Sequence, residues 1–187
     1  MTETGPVTVL PVSFVGGAHG PWRVTASTAV VGEGLAGAER LAVHEGPGPD
    51  GAGAVWTLRG VVSHARYVTA AESRALAARS PALGRDGATR AALIPVRKSP
   101  RWWALAQDER REILEERSRH VTLGMRSLPA VARRLHHGRD LGEPFDFLTW
   151  FEYAPADAAG FEDLVSALRA TPEWDYVDRE VDVRLER

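Results

Sequence analysis

Residues 145–153 read FDFLTWFEY, an aromatic-rich run in which alternate side chains fall on opposite faces, and this marks a strand that sets the frame for its neighbours. Upstream, Ala91 to Lys98 is a second strand, stopped by Ser99-Pro100, and a helical stretch extends from Asp108 to Ser127, opened by acidic residues that suit a helix N-terminus. Val131 to His137 alternates, and Gly138 to Pro144 supplies a turn into the aromatic strand. Downstream, Asp157 stands where it would cap a helix with Phe161, Leu164, Val165 and Leu168 at helical spacing. Val181, Val183 and Leu185, alternating with charged residues, close the chain as a strand.

The order β-α-β-β-α-β is the split βαβ, or ferredoxin-like, signature, so the fold class is α+β. The first half predicts strands at Val7 to Val15, Trp22 to Val31, Glu39 to His44 and Ala54 to Val62, with Gly-rich turns GGAHGP and EGPGPDGAG, then a helix from Thr69 to Arg79. It reads as a reduced unit of the same kind, with its sheet joined to that of the second.

Composition narrows the function classes. The 187 residues carry 23 basic and 25 acidic side chains, a net charge of −2, with no basic stripe to track phosphates, so a nucleic-acid partner is not expected. No apolar run approaches the roughly 20 residues of a membrane helix. The opening MTETGPVTVLPVSF lacks the regions of a secretion signal, which gives an expectation of a cytoplasmic protein. Cysteine is absent, so metal or redox chemistry would fall to His, carboxylates or a cofactor.

Three places in the sequence stand out. His120, Ile113 and Gly124 share one face of the 108–127 helix; such a histidine is ordinarily a packed core residue, but a mid-helix glycine, costing roughly 1 kcal/mol relative to Ala, suggests that something bulky, such as a planar macrocycle, approaches there. On the strand Val131 to His137, Arg133 shares a face with Val131 and Leu135, and Arg134 the other, so one arginine faces inward. The plain reading is a salt bridge to Asp146 or Glu152; the functional one is an anion site. In RKSPRWW, residues 97–103, Lys98 and the pair Trp102-Trp103 suit either a core edge or a flat ring with a carboxylate rim. His136 and His137 point to opposite faces and are read as solvated or interface residues rather than one metal site. Nothing matches a nucleophile elbow or a phosphate loop.

Taken together, IPVRKSPRWW, the His120 helix, the Arg133 strand, FDFLTWFEY, ATPEW at 170–174 and FVGGAHGPWRV at 14–24 resemble the chlorite dismutase family, in particular its short-chain lineage. The likeness is fullest over residues 90–187. It implies two ferredoxin-like halves forming one α/β barrel over residues 1–187, a reduced half at 1–88 and a haem-binding half at 89–187, assembled as a homodimer. It implies haem b with His120 as iron ligand, Glu173 hydrogen-bonded to the other ring nitrogen, contacts from Lys98, Trp102 and Trp103, and Tyr67 at the propionate edge. Arg133 matches the distal catalytic arginine. The implied reaction converts chlorite to chloride and O2 through ferryl and hypochlorite, with the guanidinium retaining the anion. Where some relatives carry a Gln that holds that arginine, this chain has Ser80. A peroxidase or coprohaem decarboxylase of the same family, and a cofactor-free dimeric binding protein, are the alternatives; Arg133 speaks against the decarboxylase.

Overall fold

The computed structural model describes residues 11–46, 48, 53–62 and 66–187. Four strands come first: β1 (Val12–Gly17), β2 (Trp22–Val31), β3 (Arg40–Glu45) and β4 (Ala54–Gly60). After α1 (Ala70–Arg79) and β5 (Arg90–Lys98) come short helices α2 (Pro100–Ala104) and α3 (Gln107–Arg111), a π-helical turn at Glu112–Arg117, and α4 (His120–Arg126). The chain ends with β6 (Ala132–His137), β7 (Phe147–Tyr153), α5 (Ala158–Arg169) and β8 (Val177–Glu186).

The strands form one sheet in the order β4-β1-β3-β2-β8-β5-β7-β6, with antiparallel pairing throughout. Each group of four repeats one order, its fourth strand beside its first, then its third and second, and the β2–β8 ladder joins the groups. The outer strands meet as well: Val61 and His137 exchange backbone hydrogen bonds of 2.9 and 2.8 Å, which closes the sheet into a barrel. No helix among the described residues is long and apolar enough to cross a membrane.

Strand β5 is buried on both faces. Ala91 and Leu93 join Phe14, Trp22 and Trp150 inside the barrel, while Ala92, Ile94 and Val96 pack with Val131, Phe151 and Phe161 beneath the helices. Removing each such aliphatic or aromatic side chain from water is worth about 1.5–3 kcal/mol, so this strand anchors both layers. Helix α5 buries Phe161, Leu164, Val165 and Leu168 as expected, although the Asp157 side chain makes no capping hydrogen bond.

Several expectations are corrected. The first strand continues through Gly16 and Gly17, which had been assigned to a turn: a Cβ at Gly16 would lie 2.2 Å from the Trp56 ring, so the glycine admits an indole within the sheet. Residues 7–10 of that expected strand, and most of the EGPGPDGAG turn, lie outside the described residues. The single helix expected over 108–127 is interrupted by the π turn and by Arg119, whose φ of 53° is left-handed. His136 and His137 are not solvated but 2% and 4% exposed, because barrel closure covers β6. His136 lies edge-on to Phe14, with Nδ1 donating to Leu148 O at 3.2 Å; His137 meets the edge of Phe147 on the opposite face.

Burial, reinforced by the nearby Arg134, pulls His136 down to about 4 from its usual 6.5. A base depressed in the folded state stabilises the fold above 6.5, and that contribution is lost as pH falls towards 4. His136→Gln should therefore lose about 2 kcal/mol less than wild type between pH 6.5 and 5 in urea denaturation; equal losses would refute this role.

Candidate active site

At the centre lies a carboxylate that the local fold has taken out of water. Beyond α5 the chain turns through a 3-10 segment, Pro172–Tyr176, which inserts Glu173 at 3% exposure. Its backbone N–H donates to Ser118 Oγ at 2.9 Å. Its carboxylate accepts from Lys98 Nζ at 2.7 Å through Oε1 and from His120 Nδ1 at 2.6 Å through Oε2. Burial alone would raise the Glu173 pKa, but the charges and hydrogen bonds of His120 and Lys98 outweigh it and bring the group from 4.5 to about 2. Lys98, at the end of β5, is itself buried, its ammonium 4.7 Å from the Trp102 ring centroid and 5.3 Å from that of Trp174.

The interrupted helix aims His120 at this carboxylate. Because of the π turn and the left-handed Arg119, Ile113 and His120 do not belong to one continuous helix; His120 is the first residue of α4. The free N–H groups of that helix start are met by Glu115, which accepts from Val121 N at 2.6 Å, from Thr122 N at 3.3 Å and from the Thr122 hydroxyl. An ionised Glu173 can only accept, so His120 Nδ1 carries a proton and Nε2 is the ring nitrogen left for another partner. The ring is 38% exposed.

Arg133 reaches the same helix from the sheet. It stands opposite Phe151 on the helix-facing side of β6, half-buried, whereas Arg134 is exposed. Its guanidinium rests on Gly124, where a Cβ would come within 2.3 Å of Nη1; the bulky neighbour inferred from that glycine is, in this structure, the arginine. Neither expected carboxylate pairs with it. Asp146 accepts from Lys98 N and Trp103 Nε1 and pairs with Arg139, and Glu152 accepts from Gly84 N and Trp150 Nε1. Among the described residues Arg133 has no hydrogen bond or ion pair, and burial lowers its pKa. Ser80 turns back onto its own helix, donating to Leu76 O at 2.7 Å, and leaves the guanidinium alone.

The other expected residues divide. Trp102 is 1% exposed beside Lys98, its buried Nε1 without a partner. Trp103 points away, stacked on Phe147 with Arg139 3.9 Å over its ring. Tyr67 meets the Trp102 edge at 6.0 Å, and its hydroxyl accepts from Arg110, which also donates to Trp103 O. Thus Lys98, Trp102, His120 and Glu173 form one cluster, Arg133 borders it through Gly124, and Tyr67 and Trp103 flank it. The sequence reading missed Ser118, Glu115 and Arg110, which hold the cluster through hydrogen bonds between distant segments and leave no periodic signal.

Helix α4 leans on α5 and on the π turn, and Leu135, on the Arg133 face of β6, stays 39% exposed. Among the described residues no three His, Cys, Asp or Glu side chains converge on one point, so a metal at His120 Nε2 would have one protein ligand and take the rest from elsewhere. A metallated macrocycle meets that condition. The exposed imidazole with its fixed tautomer, the unpartnered Trp102 Nε1 and the unpaired Arg133 fit such a group.

Residues 50–185 match the family model described as chlorite dismutase. The crystal structure of the dimeric chlorite dismutase of Nitrobacter winogradskyi is 55% identical, with a TM-score of 0.88 over 94% of this chain and 99% of that one. A chlorite dismutase from Ideonella dechloratans is 34% identical over 84 residues, 45% of this chain and 27% of that protein, so the match spans about a quarter of the relative's length. A variant enzyme from Candidatus Nitrospira defluvii shares the fold, at 18% identity and a TM-score of 0.65.

The buried triad has a direct energetic consequence. Glu173→Gln leaves the Lys98 ammonium buried without a counter-ion and should cost about 3–5 kcal/mol in denaturant unfolding, with part recovered in Glu173→Gln/Lys98→Met. A single variant within 1 kcal/mol of wild type would contradict the arrangement.

Proposed function

Because the chain belongs to the chlorite dismutase family, we propose that it is a haem b-dependent chlorite O2-lyase, working as a cytoplasmic homodimer and converting chlorite to chloride and O2. The observation that carries this reading is the half-buried, unpaired Arg133 guanidinium set against the helix whose first residue, His120, has its tautomer fixed by Glu173. When bound, haem supplies an iron centre able to accept an oxygen atom and return it. In this reading His120 ligates the iron through Nε2, and the Glu173 carboxylate, by accepting the Nδ1 proton, makes the imidazole a stronger donor. Lys98 keeps Glu173 ionised. Trp102 and Tyr67 line the ring and its edge, with Trp103, stacked on Phe147, farther out.

Arg133 is the residue assigned to the substrate. A guanidinium remains charged at any working pH, attracts ClO2−, and offers two parallel N–H donors to the anion and to the hypochlorite that leaves it. The absence of a competing carboxylate leaves those donors available. With Ser80 bonded to its own helix, the guanidinium is not tethered by it, so retention of hypochlorite rests on the charge and N–H donors of Arg133 itself.

The test is an oxygen-electrode trace with chlorite on the haem-loaded protein. Arg133→Ala should keep its Soret band and lose about a hundredfold in O2 evolution, and His120→Ala should lose haem affinity. An Arg133→Ala enzyme as fast and durable as wild type would remove Arg133 from its role; wild type without a Soret band would end the haem assignment.

A further inference from the structure

Away from this site, one end of the barrel carries, among the described residues, four arginines around a single carboxylate. Arg40 on β3, Arg23 on β2, Glu186 on β8 and Arg90 on β5 are successive cross-strand partners, so they form one row across four neighbouring strands. Arg187 follows, its guanidinium 4.5 Å over the Trp22 ring, and the row borders a cleft of about 500 Å³ completed by Pro21 and Thr89. Arg23 and Arg90 both pair with Glu186, and Arg40 donates only to Gly20 O at 2.9 Å. Arg187 donates to the main-chain oxygens of Arg85 and Ala88.

The charge here is out of balance with the rest of the molecule. The other arginine network, Arg169 and Arg184, meets three carboxylates, Glu162, Glu180 and Asp182. In the cleft one carboxylate faces four guanidiniums, within a chain whose net charge is −2. Like charges directly opposite on paired strands, as Arg23 and Arg40 are, repel unless an anion lies between them. The row from Arg40 to Arg90 covers three strand spacings, about 14 Å, which exceeds a single small oxyanion. The lining offers guanidinium forks along its length, with Pro21 and Thr89 completing it.

We propose that this cleft binds an oligophosphate chain, taken up through the guanidiniums of Arg40, Arg187, Arg23 and Arg90 in competition with Glu186. The phosphate chain is what is recognised, so free oligophosphate and a nucleoside triphosphate bind alike.

Isothermal titration calorimetry in 150 mM NaCl tests this. Tripolyphosphate should bind once per chain with a Kd on the order of 10 µM, ATP within about threefold of it, and citrate at least tenfold more weakly. Arg40→Gln, at an exposed side chain, should weaken tripolyphosphate at least tenfold, whereas Arg74→Gln on helix α1 should not change it. Glu186→Gln should tighten binding severalfold, since it removes the competing carboxylate; a merely structural ion pair would produce no such gain. No saturable binding at millimolar tripolyphosphate, citrate binding as well as tripolyphosphate, or an Arg40→Gln variant with unchanged affinity would overturn the proposal.

Discussion

The buried Glu173 carboxylate, shared between Lys98 and His120, is the constraint from which the rest of the site follows. A charge taken this far from water is tolerable only when each of its oxygens has a partner, and here the partners come from the end of β5 and the start of α4. The peptide N–H of the same residue is held by Ser118, in the break before α4. Three segments far apart in the chain are thereby tied at one residue. The histidine tautomer, the direction of the α4 start and the slot that receives the Lys98 ammonium are all consequences of where that carboxylate sits.

Arg133 illustrates the opposite solution. Lys98, Arg169 and Arg184 are each neutralised by at least one carboxylate, whereas Arg133 enters the layer between sheet and helices with none among the described residues. Burial of a guanidinium without a counter-ion opposes stability, and the fold accommodates it sterically, with Gly124 opening a place in α4 at the expense of helix propensity. Two locally unfavourable choices, a mid-helix glycine and an unpaired cation, occur at one contact. A folded chain retains such a pair where the cation serves something other than stability.

Much of this was legible in the sequence because it rests on periodicity. The alternation in FDFLTWFEY and in Val181, Val183 and Leu185, and the spacing of Phe161, Leu164, Val165 and Leu168, report faces that are buried in the fold. Features that depend on long-range closure were not legible. The burial of His136 and His137 follows from the pairing of Val61 with His137, and the extension of β1 through two glycines follows from an indole forty residues away. The interruption before His120 was invisible for a different reason: a π turn preserves helical composition while shifting its register, so a period of 3.6 residues read through it puts Ile113 and His120 on one face without basis. Lys98, His120 and Glu173 could be named singly, but no local pattern joins residues separated by 22 and 53 positions.

The position of α4 follows from the way the helix layer is supported. Phe161 of α5 packs on Phe151 and Tyr153 at 5.1 and 4.4 Å, and this filled layer, with Val131 and Val165, fixes the height of α5 above β7. Helix α4 leans sideways on α5 and on the π turn, and is pinned at its start by Glu115 and Glu173. These contacts set the helix in place, and Leu135 of β6 stays partly exposed. Moving the start of α4 would draw His120 away from Glu173 and leave one oxygen of the buried carboxylate without a partner. The electrostatic triad that orients the imidazole thus also fixes where α4 begins.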